Sequence, residues 1–152
     1  RRTLRDLGVP VWQSLADGEK ACAWSLRAGL TDFVVTEDYD TLVYGADRVV
    51  MRLGHRDGMI EYDLPEILGE LGWTRDQFVD FCILLGSDLC PARIKGIGVV
   101  SGRKLVTAHG SLETIVDAVR SKHEVPPDFL TLAAEARAEF GDTIAPQARL
   151  VT

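Results

Sequence analysis

The stretch Phe33-Val34-Val35-Thr36-Glu37-Asp38-Tyr39-Asp40 decides the fold class of this chain. Its first four residues form a short apolar run, which predicts a buried strand. The acids that follow lead into a short helical stretch that ends at Gly45. A strand that passes through acids into a helix is typical of α/β proteins, whose sites lie at the carboxyl ends of the strands. The sequence therefore predicts an α/β fold with a candidate site at Asp38 and Asp40.

A second acidic pair, Asp17 and Glu19, lies at the start of a predicted helix. Residues 18–28 place apolar side chains at helical spacing, and Gly29 follows as a helix C-cap would. In extended or turn backbone an acid-x-acid pair can direct both side chains to one site, whereas in a regular helix they diverge by roughly 200°. Both acidic pairs are therefore predicted at strand-to-helix junctions.

A fifth acid, Asp88, ends the apolar run from Phe81 to Ser87. Carboxylates at the ends of apolar elements cost solvation free energy unless something neutralises them. Magnesium or manganese is held by a few carboxylates and waters, and two such ions can clamp both sides of a phosphodiester. For any single acid, a helix cap or a turn residue is an equally good interpretation. Five acids at element edges favour a metal site.

The remaining pattern predicts strands and then helices. The expected strands are 9–12, 49–52 and 59–62. The expected helices are 64–71, 75–85 after a cap at Thr74, 99–108, one capped by Ser111, and 129–140, followed by an extended end.

Composition favours a single compact domain with a real core, since 46% of the 152 residues are hydrophobic and 26% are charged. The net charge of −6 argues against a uniformly basic nucleic-acid binder but not against a local basic patch. No apolar run approaches the roughly 18 residues that span a membrane. The three cysteines form no CxxC pair and are expected to be reduced. The chain is expected to be soluble and intracellular and to begin within a longer protein.

The segment Gly96-Ile97-Gly98 precedes a predicted helix. Glycines let backbone approach a phosphate, and the amides at a helix start can donate to it. Lys95, Arg103 and Lys104 add positive charge nearby, so the segment could bind a nucleic-acid backbone without reading bases. A GxG sequence alone is more often a plain turn.

Three motifs together resemble the internal nuclease region of the flap endonuclease/XPG family of structure-specific 5′ nucleases. They are TEDYD at 36–40, FVDFCILLGSD at 78–88, and GIG at 96–98 followed by GRKL at 102–105. The resemblance runs from about Leu4 to Pro126. It implies an incomplete, PIN-like 5′ nuclease core with a partial parallel-type sheet flanked by helices, followed by a helical helix-two-turn-helix region. The implied domains are 1–88, 89–125, and a C-terminal helix and tail at 126–152.

The same resemblance implies roles for individual residues. The acids implied to hold two magnesium or manganese ions, and to be catalytic, are Asp17, Glu19, Asp38, Asp40 and Asp88. The residues implied to bind DNA are Lys95, Gly96, Gly98, Ser101, Arg103 and Lys104, and a potassium ion is implied at the carbonyls of Ile94 and Ile97. Asp17 stands where the family usually has glutamate, and Val99-Val100 replaces its common Pro-Lys.

The implied function is a structure-specific DNA endonuclease or 5′ exonuclease that acts at single-strand/double-strand junctions. This chain would be the carboxy-terminal part of the nuclease core, inactive alone, with the amino-terminal half supplied in cis or in trans. The location would be the nucleus in a eukaryote, and no sliding-clamp motif is recognised. One alternative is a DNA-junction scaffold that lost turnover. Another is an α/β interaction domain in which the acids are ordinary caps.

Overall fold

The computed structural model describes residues 2–15, 17–141 and 148–150. The chain divides into two compact units. The first unit comprises Arg1–Leu64 and Thr143–Thr152, and the second comprises Pro65–Asp142. The functional division expected after residue 88 stays a prediction, because compactness and function need not divide at the same residue. The expected tail falls partly on 142–147 and 151–152, which lie outside the described residues.

The described part of the first unit alternates short helices and strands, as an α/β fold requires. Its helices are α1 (Arg2–Asp6), α2 (Gly18–Arg27) and α3 (Asp40–Val43), and its strands are β1 (Trp12–Ser14), β2 (Val34–Val35), β3 (Arg48–Met51), β4 (Ile60–Asp63) and β5 (Ala148–Leu150).

The strands of the first unit form two sheets. In the larger sheet, β3 lies between β2, which it pairs with in parallel, and β4, which it pairs with antiparallel. The register places Val34 opposite Val49 and Val50 opposite Glu61. The predicted α/β class is confirmed, and the sheet is mixed because the turn between β3 and β4 is too short for a parallel crossover. In the smaller sheet, β1 pairs antiparallel with β5.

The core of the first unit lies between this mixed sheet and α3. Thr41, Leu42 and Val43 of α3 are buried, as are Val49 and Val50 of β3. The guanidinium of Arg27 at the end of α2 donates a hydrogen bond of 3.0 Å to the carbonyl of Tyr44 after α3. This contact fixes the two helices, and hence their N-termini, relative to each other.

The second unit is helical. The helices are α4 (Leu64–Leu71), which begins at the last residue of the first unit, α5 (Arg75–Leu85), α6 (Val99–His109), α7 (Leu112–Val119) and α8 (Phe129–Gly141). Thr74 caps α5 by accepting from the amide of Gln77, whose side chain accepts from the amide of Thr74. Ser111 caps α7. Both caps are as predicted.

Close packing of α5 against α6 depends on Gly102. A Cβ atom at Gly102 would lie 3.3 Å from Leu85 Cδ2 and 3.4 Å from Phe81 Cε2. Trp73 packs against Phe81 with ring centroids 5.1 Å apart, and its indole nitrogen donates to the hydroxyl of Thr107 on α6. Gly102 of α6 therefore leaves room for the large side chains of α5, and Trp73 links the ring of Phe81 on α5 to Thr107 on α6.

An ion-pair network joins α5, α7 and α8. Arg137 on α8 donates to both carboxylate oxygens of Asp80 on α5 and to both oxygens of Glu113 on α7. The Asp80 carboxylate also accepts from the amide of Leu112 at 3.1 Å. Asp80 is buried, so these partners satisfy a charge that would otherwise be costly. Across the described residues, no helix is both long enough and apolar enough to cross a membrane.

Candidate metal centre and nucleic-acid interface

Asp17 is the N-cap of α2. Its Oδ1 atom accepts hydrogen bonds from the amides of Glu19 (2.8 Å) and Lys20 (3.2 Å). The capping interpretation of Asp17 is therefore confirmed. Capping occupies one carboxylate oxygen, and the role of Asp17 as a metal ligand stays a prediction.

The carboxyl of Glu19 lies among other acids. A side-chain hydrogen bond with Asp17 raises the pKa of Glu19, and the negative charges of Asp17 and Asp38 raise it further. Like charges held together favour a proton or a cation between them. Glu19 comes from α2 and Asp38 from the segment before α3, so an acid of one element acts on the pKa of an acid of another.

The backbone before α3 turns around Asp38. The hydroxyl of Thr36 accepts from the amide of Asp38 (3.0 Å), and Asp38 Oδ1 accepts from the amide of Asp40 (2.9 Å), the first residue of α3. Such side-chain to backbone bonds end a strand and start a helix within a few residues. Both acidic pairs therefore lie at strand-to-helix junctions, as predicted.

The carboxylate oxygens of these acids are of the type that binds magnesium, since this ion prefers hard oxygen ligands. The raised pKa of Glu19 also indicates that a positive charge near its carboxylate would be stabilising. Within residues 2–15, 17–141 and 148–150, however, no group of three or more His, Cys, Asp or Glu side chains has a spacing that could hold an ion. The five-acid ligand set thus stays a prediction.

Asp88 belongs to the second unit, in a tight turn after α5. The amide of Cys90 donates to the carbonyl of Ser87 (2.9 Å), and the amide of Leu89 donates to the Ser87 hydroxyl (3.2 Å). Asp88 is exposed in this turn. The structure thus places Asp88 at the surface, in a turn closed by two hydrogen bonds to Ser87.

Arg93 holds the backbone that precedes this turn. Its guanidinium donates to the carbonyl of Leu85, at the end of α5, and lies against Gly86. Gly86 has a φ of 111°, and a Cβ atom there would come within 2.7 Å of Arg93 Nε. This role of Arg93 is not predicted by the sequence, because nothing local to residue 93 indicates a partner eight residues earlier.

The helix-two-turn-helix region predicted at 89–125 contains the turn at residues 94–98, helix α6 and helix α7. Ile94 and Ile97 bury their side chains, and the carbonyl of Ile94 accepts from the amide of Ile97 at 3.4 Å. The Nδ1 atom of His123 is hydrogen-bonded to the carbonyl of Lys95 at 2.9 Å. His123, which follows α7, thus holds the turn in place through a contact that no local sequence pattern predicts.

The predicted DNA-binding residues lie in the turn at residues 94–98 and in the first half of α6. Lys95, Arg103 and Lys104 are exposed. The Ser101 hydroxyl accepts from the amide of Gly98 (3.0 Å) and donates to its carbonyl (3.1 Å), so it acts as a cap in this structure. The cluster is basic and open, which suits contacts to phosphate.

Comparisons with known proteins agree with this arrangement. The protein-family model described as the XPG I-region matches residues 8–88. Flap endonuclease 1 of Ostreococcus lucimarinus is 39% identical over 125 residues, which cover 80% of this chain and 32% of that protein. The chain thus spans about a third of the length of this curated relative.

Solved structures show the same fold. Flap endonuclease-1 from Methanococcus jannaschii superposes with a TM-score of 0.72 and 26% identity, covering 90% of this chain and 41% of the other. The Holliday junction-resolving enzyme GEN1, in complex with product DNA and Mg2+, gives a TM-score of 0.80 over 96% of this chain and 43% of its own. At 19% identity that likeness shows the fold alone. The matched residues and the shared fold place this chain in the XPG I-region family.

Proposed function

We propose that this chain is the carboxy-terminal part of the core of a metal-dependent, structure-specific DNA nuclease. Its substrate is DNA at a single-strand/double-strand junction. Because the chain spans about a third of its curated relative, the amino-terminal part of the core comes from the same polypeptide or from a partner. In a eukaryote the place of action is the nucleus.

One observation carries the proposal. Acids from two elements of the first unit act on Glu19: a side-chain hydrogen bond with Asp17 raises its pKa most, and the charges of Asp17 and Asp38 raise it further. Like charges on two neighbouring elements repel each other, which costs free energy. A cation between them removes that cost, and membership of the XPG I-region family supports the same interpretation.

The chain's own carboxylates act as ligands rather than as proton donors. Asp17, Glu19, Asp38, Asp40 and Asp88 hold magnesium or manganese, and Asp17 reaches less far than the glutamate that the family usually has. When bound, two such ions lower the pKa of a water to supply hydroxide and stabilise the leaving 3′ oxygen.

The second unit binds the duplex. The backbone amides at Gly96 and Gly98 and the side chains of Lys95, Arg103 and Lys104 bind phosphates along the DNA. Potassium at the carbonyls of Ile94 and Ile97 would stiffen the turn. This binding sets the distance from the duplex to the cut and does not depend on base sequence.

The test uses the complete natural protein with a flapped DNA duplex. Asp38→Asn and Asp88→Asn should each abolish magnesium-dependent cleavage while DNA affinity in EDTA stays within about twofold. Asp57→Asn is the matched control, because Asp57 is an exposed acid in the turn between β3 and β4. Unchanged turnover in Asp38→Asn or Asp88→Asn would refute the ligand assignment.

A second candidate function is a DNA-junction scaffold without turnover. Asp17 favours it, because this side chain is one methylene shorter than the glutamate that the family usually has. A scaffold binds flapped DNA equally well in EDTA and in magnesium and leaves it intact. A nuclease shows saturable magnesium binding that Asp38→Asn weakens, together with a product that forms only when the ion is present.

A further inference from the structure

We propose that a pocket formed by Tyr39, Tyr62 and Arg52 binds one unpaired nucleotide of a DNA single strand, with the base against the tyrosine rings and the phosphate at the arginine. The proposal rests on the proposed function, because it takes DNA as the substrate. It adds a single-strand contact in the first unit to the duplex contacts of the second.

The pocket has a volume of about 250 Å³ and lies between the start of α3 and strands β3 and β4. Its lining residues are Glu37, Tyr39, Met51, Arg52, Ile60 and Tyr62. Tyr39 lies between Asp38 and Asp40 in the chain, so the pocket is a neighbour of the predicted metal ligands in sequence.

The two tyrosines form a corner. Their ring centroids are 5.7 Å apart with the planes at 74°, and their hydroxyls are 3.3 Å apart. Tyr39 remains 58% exposed in this arrangement. A flat base can stack on one ring while the other contacts the edge of the base, which is the preferred geometry of aromatic groups.

Arg52 supplies a cation at the same pocket. Its backbone has a φ of 58°, the one positive φ of a non-glycine among the described residues, and its amide donates to Glu37 Oε1 at 2.7 Å. A hydrogen bond with Tyr39 raises the pKa of the Tyr62 phenol. The positive charge of Arg52 lowers that pKa in part, which shows that Arg52 lies near the phenol. The carboxylate of Glu37 thus holds a strained backbone that places Arg52 at the pocket.

Arg52 makes no ion pair with the described residues of the first unit. By contrast, Arg48, also on the β3–β4 hairpin, is paired with Glu61 at 3.0 Å. An exposed cation beside exposed aromatic rings is a combination with which proteins bind single-stranded nucleic acid. The chemistry therefore favours a nucleotide over an apolar ligand.

The test measures binding of a single-stranded oligonucleotide that carries 2-aminopurine, in EDTA so that no cleavage occurs. Stacking on the tyrosines should quench the fluorescence of the probe. The double variant Tyr39→Leu/Tyr62→Leu should lose the quenching and bind roughly 5- to 100-fold more weakly. The variants Tyr39→Phe and Tyr62→Phe should keep both, and Arg52→Met should bind more weakly with a smaller salt dependence.

Phe33→Leu is the matched control, because Phe33 is an exposed aromatic residue of the same unit that does not line the pocket. A second measurement needs no variant: an oligonucleotide with 5-iodouracil is irradiated on the wild-type protein and the cross-linked peptide is identified. A cross-link at Tyr39 or Tyr62 is the expected result. Cross-links only elsewhere, or quenching that survives in the leucine variant, would overturn the proposal.

These outcomes separate the two proposals. A protein that cuts flapped DNA in magnesium but shows neither quenching nor the cross-link contradicts the nucleotide pocket alone. A protein that shows both signals and never cuts contradicts the proposed nuclease activity alone. Asp88→Asn should keep the quenching and lose cleavage.

Discussion

Arg137 donates two parallel hydrogen bonds to Asp80, from Nε to Oδ1 at 2.5 Å and from Nη2 to Oδ2 at 2.7 Å. Asp80 is 4% exposed and the Arg137 side chain is 29% exposed, so the pair joins α5 to α8 at a part-buried position. The geometry is bidentate, which adds direction as well as strength to the contact. This relationship makes the helical unit depend on one arginine.

Arg137→Ala should lower the free energy of unfolding by about 3 kcal/mol, because it leaves the buried Asp80 carboxylate without its charged partner. Urea denaturation measures the change. Arg120→Ala is the matched control: Arg120 pairs with Asp117 at 3.6 Å with both side chains exposed, and its loss should cost about 0–1 kcal/mol. Equal effects of the two substitutions would contradict the role assigned to Arg137.

Glu113 should make stability depend on acid pH. Hydrogen bonds from Arg137 lower the pKa of Glu113 to about 2, with further help from the hydroxyl of Ser111. A lowered carboxyl pKa contributes stability that is present above the unfolded value of 4.5 and is lost as the pH falls through about 2. Asp80 is the other acid that faces Arg137.

Urea midpoints measured between pH 2 and pH 6 test this. Glu113→Gln should flatten the decline of stability below pH 4.5, while Glu124→Gln, an exposed acid outside the network, should leave it unchanged. A wild-type curve that matches that of Glu113→Gln over this range would show that the contact is not made in solution.

Gly102→Leu should destabilise the second unit by about 1–3 kcal/mol, because the added side chain would overlap Leu85 and Phe81 on α5. Gly69→Leu is the matched control. A Cβ atom at Gly69 would meet nothing within 4 Å, so this helical position should gain slightly from the better helix former. The midpoint of thermal unfolding should fall for Gly102→Leu and rise slightly for Gly69→Leu. Shifts in the same direction would contradict the packing role of Gly102.

His123→Ala should loosen the turn at residues 94–98, since it removes the hydrogen bond to the carbonyl of Lys95. Hydrogen exchange at the amides of Gly96 and Ile97 should become faster while exchange within α7 stays unchanged. Affinity for duplex DNA should fall as well. Exchange that quickens equally in α7 would show a general destabilisation rather than a local one.

Arg103→Ala/Lys104→Ala should weaken DNA binding for all sequences and reduce the dependence of log affinity on log salt by roughly two units. Arg56→Ala, which removes an exposed cation from the turn between β3 and β4, should change the slope little. If the double variant instead altered the preference between base sequences, backbone binding by α6 would be the wrong description.

Local signals predicted the helices well. The bounds of α4 and α5 match the predicted 64–71 and 75–85, because the Thr74 cap and Gly86 mark the ends of α5 chemically. The first strand lies at Trp12–Ser14 rather than at 9–12. Pro10 has no amide to donate, so the ladder with β5 forms beyond it.

The sites were predicted only in part, for a physical reason. Acid-x-acid spacing located both strand-to-helix junctions, which are local events. The contacts of Arg93, His123 and Arg137 join residues that are distant in sequence, and no local pattern records them. The Tyr39–Tyr62 corner was likewise missed, because it depends on how the β3–β4 hairpin faces the start of α3.

Pairing of β1 with β5 has a consequence for how the chain folds during synthesis. The second unit is continuous in sequence, whereas the first needs strands from both sides of it. A ribosome therefore delivers every residue of the helical unit before the partner of β1 emerges. Contacts between residues so far apart also close slowly. We expect the helical unit to assemble early and the small β1–β5 sheet to be among the last parts to form.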